Sequence, residues 1–173
     1  MQRLSKFLSL LLRHKPETIG LKLDENGWAN LDELIKLAPE FNLEIIKEIV
    51  KTCEKQRYCL DLDNNRIRAN QGHSIPVNLN LQEKEPPEFL FHGTATKNLN
   101  SIFQYGIKKQ NRQHVHLSEN KETALKVGKR HGEPIILIIK SSEMFKKGIK
   151  FYLSENNVWL TDFVDNIYIE KEM

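Results

Sequence analysis

The sequence predicts an α+β fold made of two parts, and three observations indicate this division. Through the first part of the chain, apolar residues recur mostly at helical spacing. In the second part they fall into short β-branched runs separated by turns, which is typical of a sheet. Between the two, residues 82–88 (QEKEPPE) are charged and proline-bearing, as in an exposed connector. We therefore predict one domain over residues 1–75 and a second over 76–173, with the boundary anywhere from 70 to 88.

The first helix is predicted at the N-terminus. Apolar residues from Leu4 to Leu12 follow helical spacing and define one face. Pro16 should end this helix near Arg13 or His14, so these two polar residues emerge from its last turn.

Two more helices follow, each with a recognisable start. Asn30 with Glu33 three residues later resembles a capping box and opens a short helix that Pro39 closes. Asn42 caps a longer helix that continues to about Lys55.

A hairpin completes the first part. Two runs rich in strand-forming residues, 58–62 and Arg66–Ala69, are separated by the turn sequence Asp-Asn-Asn at 63–65. Helices followed by a β-hairpin are the pattern of a winged helix. The longer helix mixes glutamates with lysines on its surface, which disfavours sequence-specific DNA binding.

The second part begins with a strand, a polar loop and a helix. The strand covers residues 89–94 and ends in His-Gly-Thr. Leu99, Ile102 and Phe103 are predicted to form the buried face of the helix, and Gly106 suits the left-handed position after its end.

The remaining pattern predicts a compact sheet domain. Strand alternation places His114 and His116 on one face, and Ser118 is predicted to cap the next helix, whose inward residues are Ala124 and Leu125. Further elements are predicted as strands at 135–139, 150–153, 158–160 and 166–169, with a small helix at 142–147.

Composition limits the class of protein. At 173 residues and 39% hydrophobic content, the chain can bury a core without disulfides. Cys53 and Cys59 lie in segments with buried patterns, so we interpret them as core residues and expect a reducing compartment. No apolar run is long enough to span a bilayer and no signal-peptide pattern is present. We therefore expect a cytoplasmic protein that does not contact membranes.

Several chemistries have no signature in the sequence. Neither GxxxxGK[ST] nor GxGxxG after a strand occurs, which disfavours a P-loop or a Rossmann hydride-transfer site. His114 and His116 lack further ligands at recognisable spacing, so we predict no metal.

Cationic side chains that could bind an anion are abundant, although the net charge is only +3 and is spread evenly along the chain. Converging arginines hold phosphate oxygens bidentately, so a phosphate pocket is a candidate. The candidate cations beside helix ends or turns are Arg13, His14, Lys15, Arg66, Arg68, Arg112 and Arg130.

Six motifs in order give the chain its resemblance to a known family. They are LSLLLRHKP (8–16), IRANQGHS (67–74), FHGT (91–94), HVHLS (114–118), VGKRHGEP (127–134) and NNVWLT (156–161). Together they resemble the NAD-dependent RNA 2′-phosphotransferases, often called tRNA 2′-phosphotransferases. The small departures are Phe91, where tyrosine is common, and Asn157, where glycine is common.

The resemblance implies a winged-helix-like N-terminal lobe that binds RNA and an ADP-ribosyltransferase-like C-terminal lobe that binds NAD. It implies a two-step reaction. An internal 2′-phosphate of RNA attacks the nicotinamide-ribose C1″ of NAD, giving RNA-2′-phospho-ADP-ribose and nicotinamide. The 2″-hydroxyl then attacks the phosphate, releasing 2′-OH RNA and ADP-ribose 1″,2″-cyclic phosphate. NAD is consumed as co-substrate, the RNA carries an internal 2′-phosphate, and we expect a monomer.

The resemblance also assigns residues. The family's essential Arg-His-Arg-Arg set falls on Arg13, His14, Arg68 and Arg130. RNA contacts are implied for Lys15, Gln71, Gly72, His73 and Ser74. Cofactor contacts are implied for His92, Gly93, Thr94, Arg112, His114, His116 and Ser118, with a structural hydrogen-bond network as the alternative for the two histidines of HVHLS. Arg66 does not match the motif, so we interpret it as a surface residue.

Two alternatives remain open. An ADP-ribosyltransferase acting on protein or nucleic-acid ends would stop after the first step, but no glutamate stands in a motif like the one such enzymes use. A non-catalytic winged-helix RNA-binding protein would not need the complete Arg-His-Arg-Arg set, which is present.

Overall fold

A computed structural model of the chain describes residues 1–172. Helices combine with small antiparallel sheets, so the predicted α+β class is confirmed. The chain divides into two compact units, Met1–Asn80 and Leu81–Met173. Each unit has its own cluster of buried apolar side chains.

The first unit packs three helices around a three-stranded antiparallel sheet. Its elements are α1 (Gln2–Arg13), β1 (Ala29–Asn30), α2 (Leu31–Leu37), α3 (Leu43–Thr52), β2 (Tyr58–Asp61) and β3 (Arg66–Ala69). Strand β3 lies between β1 and β2 and pairs with both. Leu8 of α1, Leu34 of α2 and Ile46 of α3 are fully buried in one cluster with Ile67 of β3. The central strand is thus held by the core on one face.

Both asparagine caps predicted from the sequence are confirmed. The Asn30 Oδ1 accepts a hydrogen bond from the backbone N–H of Glu33 at 3.0 Å, and the Asn42 Oδ1 accepts one from Ile45 at 2.9 Å. Each bond satisfies a backbone donor that the first helical turn leaves open.

Two local features differ from the prediction. Helix α3 ends at Thr52 and not near Lys55, because Cys53 is already extended and Gln56 has a left-handed φ of 43°. Strand β1 carries no sequence signal, since two residues are too few to show alternation.

The second unit is built from short strands with three helices. Its elements are β4 (Leu90–Ala95), α4 (Leu99–Tyr105), β5 (Ile107–Lys108), β6 (Val115–Leu117), α5 (Lys121–Gly128), β7 (Pro134–Ile139), α6 (Ser141–Lys146), β8 (Tyr152–Leu153), β9 (Trp159–Thr161), β10 (Phe163–Val164) and β11 (Ile169–Lys171). The strands pair as β11-β7-β4, β6-β9-β8 and β5-β10. Phe91 and Ser118 exchange backbone hydrogen bonds at 2.8 and 2.9 Å, which connects the first two sheets.

Helix α5 lies directly on the backbone of β4. A Cβ atom at Gly93 would stand 1.6 Å from the carbonyl oxygen of Ala124, and one at Gly128 would stand 2.7 Å from that of Thr94. Only glycine fits such contacts, so both glycines have a packing role. The contact brings the end of α5 beside His92, Gly93 and Thr94.

The cap of α5 is not the predicted one. The Asn120 Oδ1, and not Ser118, accepts from the backbone N–H of Thr123. Ser118 is instead committed to its backbone pairing with Phe91, which holds it in extended conformation before the helix begins.

Two further predictions in this unit are wrong. Phe103 is 39% exposed, because Ile102 faces the core and the next residue on a helix is rotated by about 100°. The strand predicted at 166–169 begins only at Ile169. Asp165 Oδ1 accepts from the Ile167 N–H, which turns Asn166–Tyr168 into a 3-10 helix first.

Cys53 and Cys59 are both free thiols and half-buried. Over residues 1–172, the helices are too short or too polar for a membrane span. The same residues contain no cluster of three histidine, cysteine or acidic side chains suited to a metal.

Candidate functional site

The last residue of α1 and the two residues after it are polar and differ in their exposure. Arg13 is the last helical residue and is only 6% exposed, beside the fully buried Leu12. His14 ends the helix by donating its backbone N–H to the Leu10 carbonyl, and its side chain is half-buried. Lys15 is exposed. A buried arginine at a helix C-terminus is favoured by the helix dipole, but it also needs an anionic or polar environment.

Strand β3 supplies the second arginine. Its apolar residues face the core, so Arg66 and Arg68 share the other face. Both guanidinium groups lie over the ring of Trp28, at 4.3 and 4.6 Å from its centroid. The Nε of Arg66 also donates to Asp61 at 2.8 Å. Arg66 lies at the surface, with its side chain 38% exposed, but an aromatic ring and a carboxylate hold it there.

The segment after β3 turns sharply into the unit. Asn70 is buried and ties the strand back to the preceding turn, donating its backbone N–H to Arg57 and its Nδ2 to Gln56. Gly72 is buried with a φ of 86°, a left-handed conformation that suits glycine. Gln71 is half-buried, and its Oε1 is a buried acceptor with no hydrogen-bond partner within residues 1–172.

His73 is the most buried polar residue of this segment, at 1% exposure. Burial, and after it the positive charges of Arg13, His14 and Arg68, lower the pKa of His73 from 6.5 to about 4. The ring is therefore neutral at neutral pH. Neither ring nitrogen has a hydrogen-bond partner within residues 1–172. Three predicted catalytic residues thus converge electrostatically on one neutral imidazole.

Ser74 fastens this segment to the end of α1. Its backbone N–H donates to the Arg13 carbonyl at 2.9 Å. Its hydroxyl lies 2.9 Å from Nδ1 of His14. Ser74 is therefore a group that orients His14, in addition to being exposed as the predicted RNA contact requires.

In the second unit, His92 is oriented by the backbone. Its Nδ1 lies 3.2 Å from the carbonyl oxygen of His116, so Nδ1 donates and Nε2 of the neutral ring is an acceptor. Burial lowers the pKa of His92, the hydrogen bond to His116 opposes this, and the charge of His131 adds to the lowering. His92 is half-buried, and its ring keeps one nitrogen able to accept a proton or a hydrogen bond.

The two histidines of HVHLS lie on one face, as predicted, with the residues between and after them buried. The Arg112 Nη1 donates to His116 Nδ1 at 3.2 Å, so a neutral His116 carries its proton on Nε2. The ring of His114 packs against Tyr152 at 5.8 Å between centroids. Burial lowers the pKa of Arg112 and that of His114, and the nearby Asp162 partly opposes the shift at His114.

Arg130 stands just after α5, in the turn where its backbone N–H donates to the Val127 carbonyl. It is exposed, as are its neighbours Lys129 and His131. The close packing of α5 on β4 places this turn beside the end of β4, which explains why His131 influences His92.

Thr94 and Ser118 have structural contacts. Thr94 is buried and its hydroxyl accepts from Asn98 at 3.1 Å. Ser118 is half-buried and pairs with Phe91 through its backbone.

The sequence did not single out three residues that belong to these sets. Asn70 and His131 lie inside the motifs IRANQGHS and VGKRHGEP, so their signal was present. Trp28 has no local signal, because its contact with two arginines depends on how β1 and β3 pair.

In the first unit, cationic side chains converge on a neutral, buried ring beside a helix end. Such an arrangement is suited to an anion. The chain belongs to the RNA 2′-phosphotransferase, Tpt1 / KptA family, whose family model matches residues 1–163. This confirms the resemblance found in the six motifs.

Curated relatives agree over nearly the whole chain. A probable RNA 2′-phosphotransferase of Flavobacterium johnsoniae is 56% identical over 171 residues, covering 96% of this chain and 94% of that protein. One of Fusobacterium nucleatum is 56% identical over 173 residues, covering 97% of each. One of Acaryochloris marina is 51% identical over 172 residues, covering 97% of this chain and 95% of that protein.

Proposed function

We propose that the protein removes an internal 2′-phosphate from RNA by transferring it to NAD. The observation that carries this proposal is the convergence of Arg13, His14 and Arg68 on the neutral His73. Membership of the RNA 2′-phosphotransferase family supports RNA with a 2′-phosphate as the substrate, since the name of the family states that group.

The proposed reaction has two steps. The 2′-phosphate oxygen bonds to C1″ of the nicotinamide ribose while the bond to nicotinamide breaks, giving RNA-2′-phospho-ADP-ribose. The 2″-hydroxyl oxygen then bonds to phosphorus while the bond to the RNA 2′-oxygen breaks. The products are 2′-OH RNA, nicotinamide and ADP-ribose 1″,2″-cyclic phosphate.

The first unit supplies the groups that hold the phosphate. Guanidinium groups fit phosphate oxygens bidentately, and each charge-assisted hydrogen bond contributes about 1.5 to 3 kcal/mol. Arg13 and Arg68 would neutralise charge that builds on the phosphate during the second step. His14, oriented by Ser74, is the candidate for proton transfer to the departing RNA oxygen.

His73 has a different role because it is neutral. A fourth cation would be costly in this buried position, whereas a neutral imidazole can accept one hydrogen bond and donate another. We propose that His73 braces the RNA-facing segment that Gln71 and Gly72 belong to.

The second unit has residues that fit NAD, which supplies the electrophilic ribose carbon. The neutral His92 keeps Nε2 as an acceptor, which suits a ribose hydroxyl donor. Arg112 and Arg130 suit a diphosphate. Gly93 has a supporting role there, since helix α5 packs directly against the place where its side chain would stand.

We assign the first unit as a winged-helix-like RNA lobe and the second as an ADP-ribosyltransferase-like NAD lobe. Three helices and the β2–β3 hairpin support the first assignment, and the short antiparallel sheets around the His-Gly-Thr strand support the second. Every residue invoked belongs to one chain, so we propose that a monomer is active.

The test is incubation of the protein with NAD and a short RNA that carries one internal 2′-phosphate, following both RNA and ADP-ribose products. We expect NAD-dependent loss of the phosphate and release of the cyclic phosphate. Accumulation of ADP-ribosylated RNA alone would indicate a transferase that stops after the first step. No NAD-dependent change in the RNA would reject the proposal.

A further inference from the structure

Trp28 is a direct neighbour of Arg68 across the sheet of the first unit. Strands β1 and β3 pair so that Ala29 lies opposite Ile67, and both of these side chains are buried in the core. Continuing that register by one residue brings Trp28 opposite Arg68, on the other face of the sheet, because side chains alternate along a strand. The guanidinium carbon of Arg68 is 4.6 Å from the centroid of the Trp28 ring. The indole therefore contacts an arginine that we assign to the reaction.

A turn over residues 24–28 fixes the backbone of Trp28. The carboxylate oxygen Oδ1 of Asp24 accepts from the backbone N–H groups of Asn26 and Trp28, both at 2.9 Å. The backbone N–H of Asp24 donates to the Trp28 carbonyl at 2.9 Å, and that of Gly27 donates to the Asp24 carbonyl at 3.0 Å. The 24–28 turn is therefore closed by its own hydrogen bonds immediately before β1 begins.

The 24–28 turn also packs against the segment that follows β3. A Cβ atom at Gly27 would stand 3.4 Å from Nε2 of His73, and the φ of Gly27 is 79°, which favours glycine. The Asn26 Nδ2 donates to the Asn78 carbonyl at 2.7 Å, and the Asn78 backbone N–H donates to the Glu25 carbonyl at 2.8 Å. The turn that carries the indole is thus fastened from outside as well as from within.

An aromatic ring can hold a guanidinium group without cancelling its charge. The ring attracts the cation through its quadrupole, whereas a carboxylate would bring a negative charge beside a bound phosphate. Arg66 combines both contacts, since its guanidinium carbon lies 4.3 Å from the Trp28 centroid while its Nε donates to Asp61. The contact with Trp28 orders Arg68 and preserves the positive charge that an anion needs.

We propose that Trp28 is a positioning residue for the phosphotransfer, because it holds Arg68 in the orientation that meets the 2′-phosphate. This inference rests on the proposed function, which assigns Arg68 to the phosphate. Trp28 acts through Arg68 and does not have to touch RNA or NAD. A charge stabilises a transition state best when it is ordered before the reaction, so loss of the ring should lower the rate and not only the stability.

Steady-state kinetics with NAD and a short RNA that carries one internal 2′-phosphate is the first test. Trp28→Leu should lower kcat about tenfold, the rate equivalent of a cation–π contact with a half-buried ring. Trp28→Phe and Trp28→Tyr keep a π-face and should recover most of the rate. Circular dichroism checks that each variant is folded. With an active wild type, full activity in Trp28→Leu would overturn the proposal, as would equal losses in Trp28→Leu and Trp28→Phe.

A double-mutant cycle separates positioning from a general effect on the fold. In the Arg68→Ala background, Trp28→Leu should cause no further loss of the single-turnover rate, because the group that it positions is gone. In the Arg66→Ala background, the same substitution should still lower the rate about tenfold. Losses of equal size in the two backgrounds would show that Trp28 supports the fold and does not act through Arg68.

The arginine side-chain Nε–H signals in a proton–nitrogen NMR spectrum test the contact without any reaction. The signal that disappears in Arg68→Ala should be displaced by the ring current of the indole and should move to an ordinary position in Trp28→Leu. An unmoved signal would contradict the contact and the proposal with it.

A wild type that does not remove the 2′-phosphate would reject the proposed function alone. Affinity for adenosine 2′-monophosphate, measured by calorimetry without NAD, then decides the role of Trp28. Trp28→Leu should weaken binding about tenfold, because a phosphate contact of Arg68 becomes disordered. Equal affinity in the two proteins, or no binding by the wild type, would overturn the positioning role.

Discussion

The hydroxyl oxygen of Ser74 lies 2.9 Å from Nδ1 of His14, across 60 residues of sequence. The backbone N–H of the same serine donates to the Arg13 carbonyl. One residue thus holds both the end of α1 and the imidazole that follows it.

We expect Ser74→Ala to reduce kcat by roughly 10-fold to 100-fold with little change in KM, a size typical of lost orienting partners. The backbone bond to Arg13 persists in this variant, so stability should change little. Ser74→Thr keeps a hydroxyl and should recover most of the activity. Steady-state kinetics over a range of pH is the measurement, and an unaltered pH profile in Ser74→Ala would exclude an orienting role.

Arg66 and Arg68 form a matched pair, since both lie over Trp28 from the same strand face. Arg68→Ala should lower phosphate removal by about 100-fold or more, because a preorganised charge opposite the reacting phosphate is lost. Arg68→Lys should restore only part of it, since lysine lacks the bidentate fork. Single-turnover rates measure this.

Arg66→Ala is the control for that experiment. It removes the contact with Asp61 and should cost about 1 kcal/mol or less in stability, while activity stays near that of the wild type. Equal losses of activity in both variants would show that the shared stacking on Trp28 matters, and not the phosphate contact of Arg68.

Arg130→Ala should abolish or severely slow the reaction without unfolding the protein, because the residue is exposed after α5. Lys129→Ala removes a neighbouring exposed cation of the same turn and should retain activity. Product analysis measures the activity of the two variants, and circular dichroism checks that both are folded. Similar activity in the two variants would remove Arg130 from the proposed set.

His73 should make stability depend on pH. Its pKa is about 4 in the folded protein and 6.5 when unfolded, so between these values the unfolded chain binds the extra proton. The free energy of unfolding should therefore fall as pH decreases from 6.5 to about 4, by roughly 3 kcal/mol from this residue. Above pH 6.5 this contribution is fully present.

Urea unfolding of the wild type and His73→Gln at several pH values tests this. Burial also lowers the pKa of His92 and of His114, so both proteins lose stability in acid and only the difference between them reports His73. The slope should be shallower in the variant. Parallel stability curves would mean that His73 is not buried as a neutral ring.

Local signals in the sequence were reliable where one short segment decides the structure. The caps at Asn30 and Asn42 and the end of α1 near Arg13 depend on residues within one turn, and all three are confirmed. At Ser118 and Asn120 two capping residues compete within three positions, and pairing with a distant strand decides between them.

The motifs name the candidate residues, but they do not show the surroundings of those residues. The motifs contain Arg68, His73 and Ser74, yet no spacing shows that His73 is buried and neutral or that Ser74 orients His14. The contact of Arg66 with Trp28 depends on a two-residue strand that has no sequence pattern. Such properties arise from tertiary packing and not from the local chain.

The ring beneath the two arginines also gives the protein an optical probe. The sequence has two tryptophans, one in each unit. Trp28 is half-buried under Arg66 and Arg68, whereas Trp159 is 2% exposed and donates its indole N–H to Glu119. A ligand that draws Arg68 off the indole should change the electric field at Trp28, and in Trp159→Phe the tryptophan emission would come from that ring alone. Binding of such a ligand to the first unit can therefore be followed by the fluorescence emission of Trp28, without a label on either substrate.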